Sequence, residues 1–72
     1  MENISKTVIK AIDILEIFLK NDGALSLTEI SRSTLLNAAT TYRLVSTLVK
    51  RGYLSHQQNK GMYSLGLKTI DF

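Results

Sequence analysis

Cysteine is absent from this 72-residue chain, which excludes disulfides and thiolate metal sites and leaves a small fold to stand without such staples. Long apolar runs are absent too. The longest is Ile17-Phe18-Leu19, too short to span a bilayer or to form the apolar stretch of a signal peptide, so the expectation is a soluble, cytoplasmic protein. The single histidine, His56, has no acid near it in sequence, and neither a metal cluster nor a nucleophile with its base can be assembled around it. It reads as a polar strand residue, or at most a phosphate contact, and Met62 as an ordinary strand residue. Gly23, Gly52, Gly61 and Gly66 each stand alone, so no glycine-rich phosphate loop is present. No cofactor and no enzymatic activity are expected. A chain of this size hides only about 60% of the surface its unfolded form exposes, which allows one compact core and no deep substrate cavity.

Carboxylates are also scarce, and in one place. None lies between Glu29 and Asp71, whereas Arg32, Arg43, Lys50, Arg51, Lys60 and Lys68 all fall in that window. Residues 1–36 sum to a charge of −1 and residues 37–72 to +4. A basic, acid-free stretch on a small domain is the electrostatic footprint of a polyanion partner, although a merely solvated basic face would give the same count.

With 44% apolar and 21% charged residues, the rest is ordinary globular sequence. Residues 7–20 read as a first helix, started by Thr7 or Ser5 and stopped by Asn21-Asp22-Gly23. Its apolar stripe is Val8, Ala11, Ile12, Leu15, Phe18 and Leu19. Ile9 and Ile17 fall on the polar side and Ile14 at the boundary, more apolar surface than one core needs. These three are expected to pack against a second copy of the chain. A short extended piece at Ala24-Leu25 precedes Ser26-Leu27-Thr28-Glu29, which has the S-x-x-E form of a capping box. A short second helix, about Leu27 to Ser33, should follow, with Leu27, Ile30 and Thr34 inward.

Asn37 caps a third helix, Ala38 to Arg51, which Gly52 ends in a left-handed conformation. Thr41, Leu44, Val45, Leu48 and Val49 form its inward stripe. The outward face is Ala39, Arg43, Ser46, Thr47 and Lys50, with Thr40 and Tyr42 at its margins. It holds small, hydrogen-bonding and cationic groups and no acid, which suits a phosphate-lined groove. The stretch from Tyr53 to Leu65 reads as a hairpin turning through Gln58-Asn59-Lys60-Gly61. The fold class expected is therefore mainly α with a small hairpin: a winged helix-turn-helix of three helices and a two-stranded wing, with a fourth helix starting at Leu67.

The segments AIDILEIF, SLTEIS, TTYRLVSTLVKRGYL and YSLGLK, in this order, resemble the N-terminal winged-helix domain of the IclR family, bacterial transcription factors of the isocitrate lyase regulator type. The resemblance covers about Thr7 to Phe72. It implies a DNA-binding domain at 1–66, with 67–72 opening a linker helix toward a C-terminal domain that binds a small-molecule effector. It also implies a homodimer or higher homo-oligomer on a near-palindromic operator, acting as repressor or activator. By this resemblance the helix from Ala38 is the recognition helix, Ala39, Thr40, Tyr42 and Arg43 occupy DNA-facing positions, and Lys60 sits at the wing tip. Ser46, Thr47, Lys50 and Arg51 read as phosphate contacts. Three departures from the family pattern stand out: Leu35 stands where glycine is usual, Asn37-Ala38-Ala39 is less polar, and Met62 and Ser64 replace basic wing residues. A winged helix that docks on proteins without touching DNA is the alternative; such a module would more often carry an apolar or acid-bearing third helix.

Overall fold

The structure, a computed structural model, describes residues 3–21 and 23–70. Asp22, expected in the first stop signal, and Asp71 and Phe72, expected in the linker helix, lie outside them. Helix α1 (Lys6–Lys20) begins at Ser5, whose Oγ accepts the Val8 amide at 3.3 Å. It ends at Asn21, whose backbone and side-chain amides both donate to the Ile17 carbonyl. Strand β1 (Leu25–Ser26) leads directly into helix α2 (Leu27–Thr34). The capping box is formed: Ser26 Oγ accepts the Glu29 amide at 3.1 Å and Glu29 Oε1 accepts the Ser26 amide at 2.8 Å. The Ser26 amide foremost, and the Ser26 hydroxyl beside it, hold the Glu29 carboxyl below its ordinary range.

Leu35 then turns the chain in a left-handed conformation, φ 61° and ψ 25°. Ser31 Oγ donates to the Leu36 carbonyl and closes the turn from the α2 side. Helix α3 (Ala38–Lys50) starts under Asn37, whose Oδ1 accepts the Thr40 amide at 2.8 Å. Past the capping residue Arg51, Gly52 adopts φ 89°. Its amide donates to the Val49 carbonyl, and the Tyr53 amide to that of Leu48, the paired bonds of a Schellman end.

Strands β2 (Leu54–Gln57) and β3 (Met62–Leu65) form the wing hairpin, turned by the Lys60 amide donating to the Gln57 carbonyl and by left-handed Gly61. The sheet has three strands, not the two expected. β1 pairs with the other side of β3, Leu25 opposite Tyr63, so the antiparallel order is β1-β3-β2. Two residues carry too little alternation for a strand to be read from them, but their backbone groups complete the ladder. Gly66 is buried against the end of α3, where any Cβ would collide with the Gly52 carbonyl. One helical turn, α4 (Leu67–Ile70), follows.

The core is one cluster: Ile14 and Phe18 from α1, Ile30 from α2, Leu44 and Val45 from α3, Leu54 and Tyr63 from the wing. This corrects the reading of α1. Ile14 is wholly buried and so not available to a second chain, Ile17 is half-buried with one side packed against the core, and Ile9 alone of that expected set is exposed. Val8, Ile12 and Leu19, assigned inward, are 55%, 47% and 69% exposed. The helix is apolar around more than half its circumference. Its strongest stripe therefore marks the buried face only in part: Phe18 is in the core and Ala11 and Leu15 are half-buried, while packing against α2 and α3 brought in Ile14 from the neighbouring side. Burial of an isoleucine is worth about 1.5 to 3 kcal/mol on either face, and only geometry chooses.

Leu35 is 91% exposed, so it gives the fold little packing in return for its left-handed backbone, which costs about 1 to 2 kcal/mol in a non-glycine residue. Leu35→Gly relieves that strain and loses part of the gain to a more flexible unfolded chain. We expect a net stabilisation of about 0.5 to 1 kcal/mol, read as a melting midpoint about 3 to 6 °C higher. A lower midpoint would mean that the Leu35 side chain holds the turn.

Candidate nucleic-acid interface

Three local devices hold α3 so that one side faces outward. Asn37 fixes its start, Thr41, Leu44 and Val45 anchor it in the core, and the Gly52 turn fixes its end. The buried Thr41 hydroxyl is satisfied by the Asn37 carbonyl at 2.8 Å, so the helix root contains no stranded polar group. The side opposite these anchors carries Ala39, Arg43, Thr47 and Lys50, all exposed, and Ser46, half-buried. This is the outward face read from the sequence. Tyr42, 58% exposed, lies on the wing side of that face, and half-buried Thr40 on the other margin.

Two polar groups, one hydroxyl and one amide, are less free than the sequence suggests. Thr47 Oγ1 donates to the Arg43 carbonyl at 2.8 Å, so it keeps only its lone pairs for other partners unless it rotates. The Thr40 amide is taken by Asn37. Arg51 is exposed at the helix end, and Lys60 is exposed in the hairpin turn. The structure thus gathers Ala39, Tyr42, Arg43, Ser46, Thr47 and Lys50 on one helix, with Lys60 on the separate projection of the wing. No carboxylate of residues 30–70 competes with these cations.

Two further features border the face. Arg32 on α2 lines an open hollow with Thr28, Asn37 and Ala38 at the foot of α3. Its sequence signal was its place in the acid-free window, but its position beside the α3 start depends on the turn. On the wing, His56 stacks on Tyr63 with ring centroids 4.3 Å apart and planes 8° from parallel. Both rings line a cleft with Tyr42, Ser46 and Val49 of α3. Burial, with Tyr42 adding to it, pushes the Tyr63 phenol above its ordinary range. This pair follows from the strand register, His56 directly opposite Tyr63, which the sequence specifies only once the turn length is known.

Among the described residues no group of three or more histidine, cysteine, aspartate or glutamate side chains could hold a metal ion, and no helix is long and apolar enough to cross a membrane. What the arrangement offers chemically is a convex, cationic, hydrogen-bonding helix about the width of a DNA major groove, flanked by a β projection.

Comparison with known proteins agrees with this geometry. The IclR helix-turn-helix domain matches residues 7–58. The HTH-type transcriptional regulator KipR of Bacillus subtilis (strain 168) is 38% identical over 72 residues, all of this chain and 28% of that protein. The HTH-type transcriptional regulator XynR of Escherichia coli (strain K12) is 32% identical over 68 residues, 94% of this chain and 27% of that one. A crystal structure of an IclR family transcriptional regulator from Brucella abortus superposes with a TM-score of 0.88 at 28% identity, over 94% of this chain and 26% of its own. The chain thus spans little more than a quarter of the length of these relatives. Matched through its helices and into its wing, and alike in sequence and shape to HTH-type regulators rather than enzymes, the chain belongs to the IclR helix-turn-helix family of transcriptional regulators.

Proposed function

We propose that this domain reads duplex DNA with α3 in the major groove and the wing, Tyr53 to Leu65, against the adjacent backbone. The observation that carries this reading is the exposed face of α3, cationic and hydrogen-bonding throughout and free of acids. Arg43 lies in the first half of the helix, where a recognition helix reaches base edges, and offers paired donors to guanine O6 and N7. Tyr42 and Thr40 supply hydroxyl or methyl contacts beside it, and Ala39 permits close approach. Ser46, Thr47, Lys50, Arg51 and Lys60 hold phosphates, and Arg32 joins them from α2. A protein-docking module would be better served by an apolar or acid-bearing helix.

In this proposal residues 1–66 are the DNA-binding unit, and the α4 turn at Leu67 begins a linker toward an effector-binding domain of the kind the length of the relatives leaves room for. The protein works in the cytoplasm, and as a dimer. Val8, Ile12 and Leu19 with Ile9 form an apolar strip on α1 that faces solvent. A two-fold axis across that strip would cover each copy with the other, since an isologous contact sets the same patch against itself. Paired recognition helices then address half-sites about one helical turn apart in a near-palindromic operator.

Binding titrations on operator and scrambled duplexes at several salt concentrations test the DNA reading. With four to six phosphate contacts per copy, log K should fall against log salt with a slope of about −4 to −5. Arg43→Ala should cost about 1 to 3 kcal/mol on operator DNA and flatten preference at one base pair per half-site. Lys50→Ala should weaken all sequences alike and make the slope shallower by about one unit per copy. Selectivity lost through Lys50 and retained through Arg43 would reverse the helix in the groove. Salt-insensitive binding would remove DNA as the partner.

Sedimentation tests the dimer. Ile12→Glu places a charge in the middle of the exposed strip without touching the core, and should shift the chain toward monomer while its melting curve changes little. Equal association of variant and wild type would remove α1 from the interface.

A further inference from the structure

His56 is the ring that the base-reading and phosphate-anchoring scheme leaves unused. Along β2 it stands two residues beyond Leu54, on the same face of the strand, and Leu54 is a buried core residue. His56 therefore points to the core side of the sheet, but past the place where the core ends, and it is exposed. Tyr63 lies beneath it, only 6% exposed and fixed in the core cluster. The parallel stack at 4.3 Å holds the imidazole flat against that ring, so its edge nitrogens are directed outward rather than consumed in the sheet. Across the cleft stand Tyr42 and Ser46 of α3.

The groups that face His56 decide what it can bind. Tyr63 on β3 and Tyr42 on α3 are phenols, Lys60 borders it from the hairpin turn, and the nearest carboxylates in sequence are Glu29 and Asp71. An imidazolium there would have an aromatic face below it, which favours a cation, and no anion supplied by residues 30–70. Its counter-charge has to come from outside. The same cleft separates the exposed α3 face from the wing, where a DNA backbone would run if α3 occupied the groove.

We propose that His56 is a phosphate contact of the wing, held by its stack on Tyr63 and engaged in its protonated form, so that DNA binding takes up a proton at this residue. The inference rests on the DNA-binding reading above. Because binding and protonation at one site are reciprocally coupled, affinity should rise as the medium becomes mildly acidic, the range in which histidines commonly change charge. One further phosphate contact per copy is worth about five- to tenfold in affinity at about 0.1 M salt, and steepens the salt slope by about 0.9.

The experiment is a fluorescence-anisotropy titration of the chain with a labelled mixed-sequence duplex of about 25 base pairs, roughly one helical turn beyond a two-half-site operator, at pH near 5.5 and near 7.5. Wild type should bind about five- to tenfold tighter per bound copy at the lower pH, with the steeper salt slope there. His56→Gln, which keeps a hydrogen-bonding group and cannot charge, should bind like wild type at the higher pH and show no gain at the lower. His56→Lys, charged throughout, should bind tightly and equally at both. Melting curves at each pH check that the exposed substitutions leave the fold intact. If His56→Gln keeps the full acid gain, or wild type binds DNA with no gain, the inference is wrong while the DNA reading stands. If wild type binds at neither pH, the DNA reading fails and takes this contact with it.

Discussion

The junction of Ile14, Ile30, Val45 and Thr41, one or two residues from each of the three main helices and each fully buried, is the constraint on which the rest of the molecule depends. A domain this small cannot distribute its core over several layers. The helices must meet at one place, and their angles there settle where every outward residue points. Thr41 makes the junction stricter than an all-apolar one, because its buried hydroxyl needs the Asn37 carbonyl. The same Asn37 accepts the Thr40 amide with its side chain and the Thr41 amide with its backbone. The start of α3 and its deepest anchor are thereby a single hydrogen-bonded unit.

From that anchoring follows the separation of roles along α3. One side is spent on the core, and the other is left to cations and hydroxyls with no acid on the same helix. Surface cations gain little stability for the protein, and their arrangement makes sense as attraction for something outside it. The wing extends the same logic. Tyr63 belongs to the core by its burial, yet it carries His56 on its outer face, so a residue of the cleft beside α3 is seated on the interior.

Much of this was legible in the chain, and what was legible is local. The capping box at Ser26, the Asn37 cap, the Gly52 helix end and the Gly61 turn each involve residues within about five positions of one another, so the sequence pattern and the hydrogen bonds coincide. The outward face of α3 was readable for a related reason: its polar residues leave only one stripe to bury. α1 offered two adjoining apolar stripes, and the choice between them was made by α2 and α3. Ile14 therefore moved from an expected interface into the core. β1 was missed as a strand because its pairing is with Met62 and Tyr63, far along the chain. The His56 stack stayed hidden until register was known, since a shift of one residue would have sent that ring to the other side of the sheet.

The close approach of Gly66 to the Gly52 carbonyl, with the Lys68 side chain lying against Gly52, joins three parts of the chain. The Gly66 amide donates to the Tyr53 carbonyl at 2.9 Å, and the Lys68 amide to the Gly52 carbonyl at 3.1 Å. The last turn of α3, the base of the wing and the first turn of α4 are thus bolted backbone to backbone, with no flexible spacer between them. A torque applied to α4 is delivered to the exit of α3 through these backbone hydrogen bonds, as through a short lever whose fulcrum is a pair of glycines.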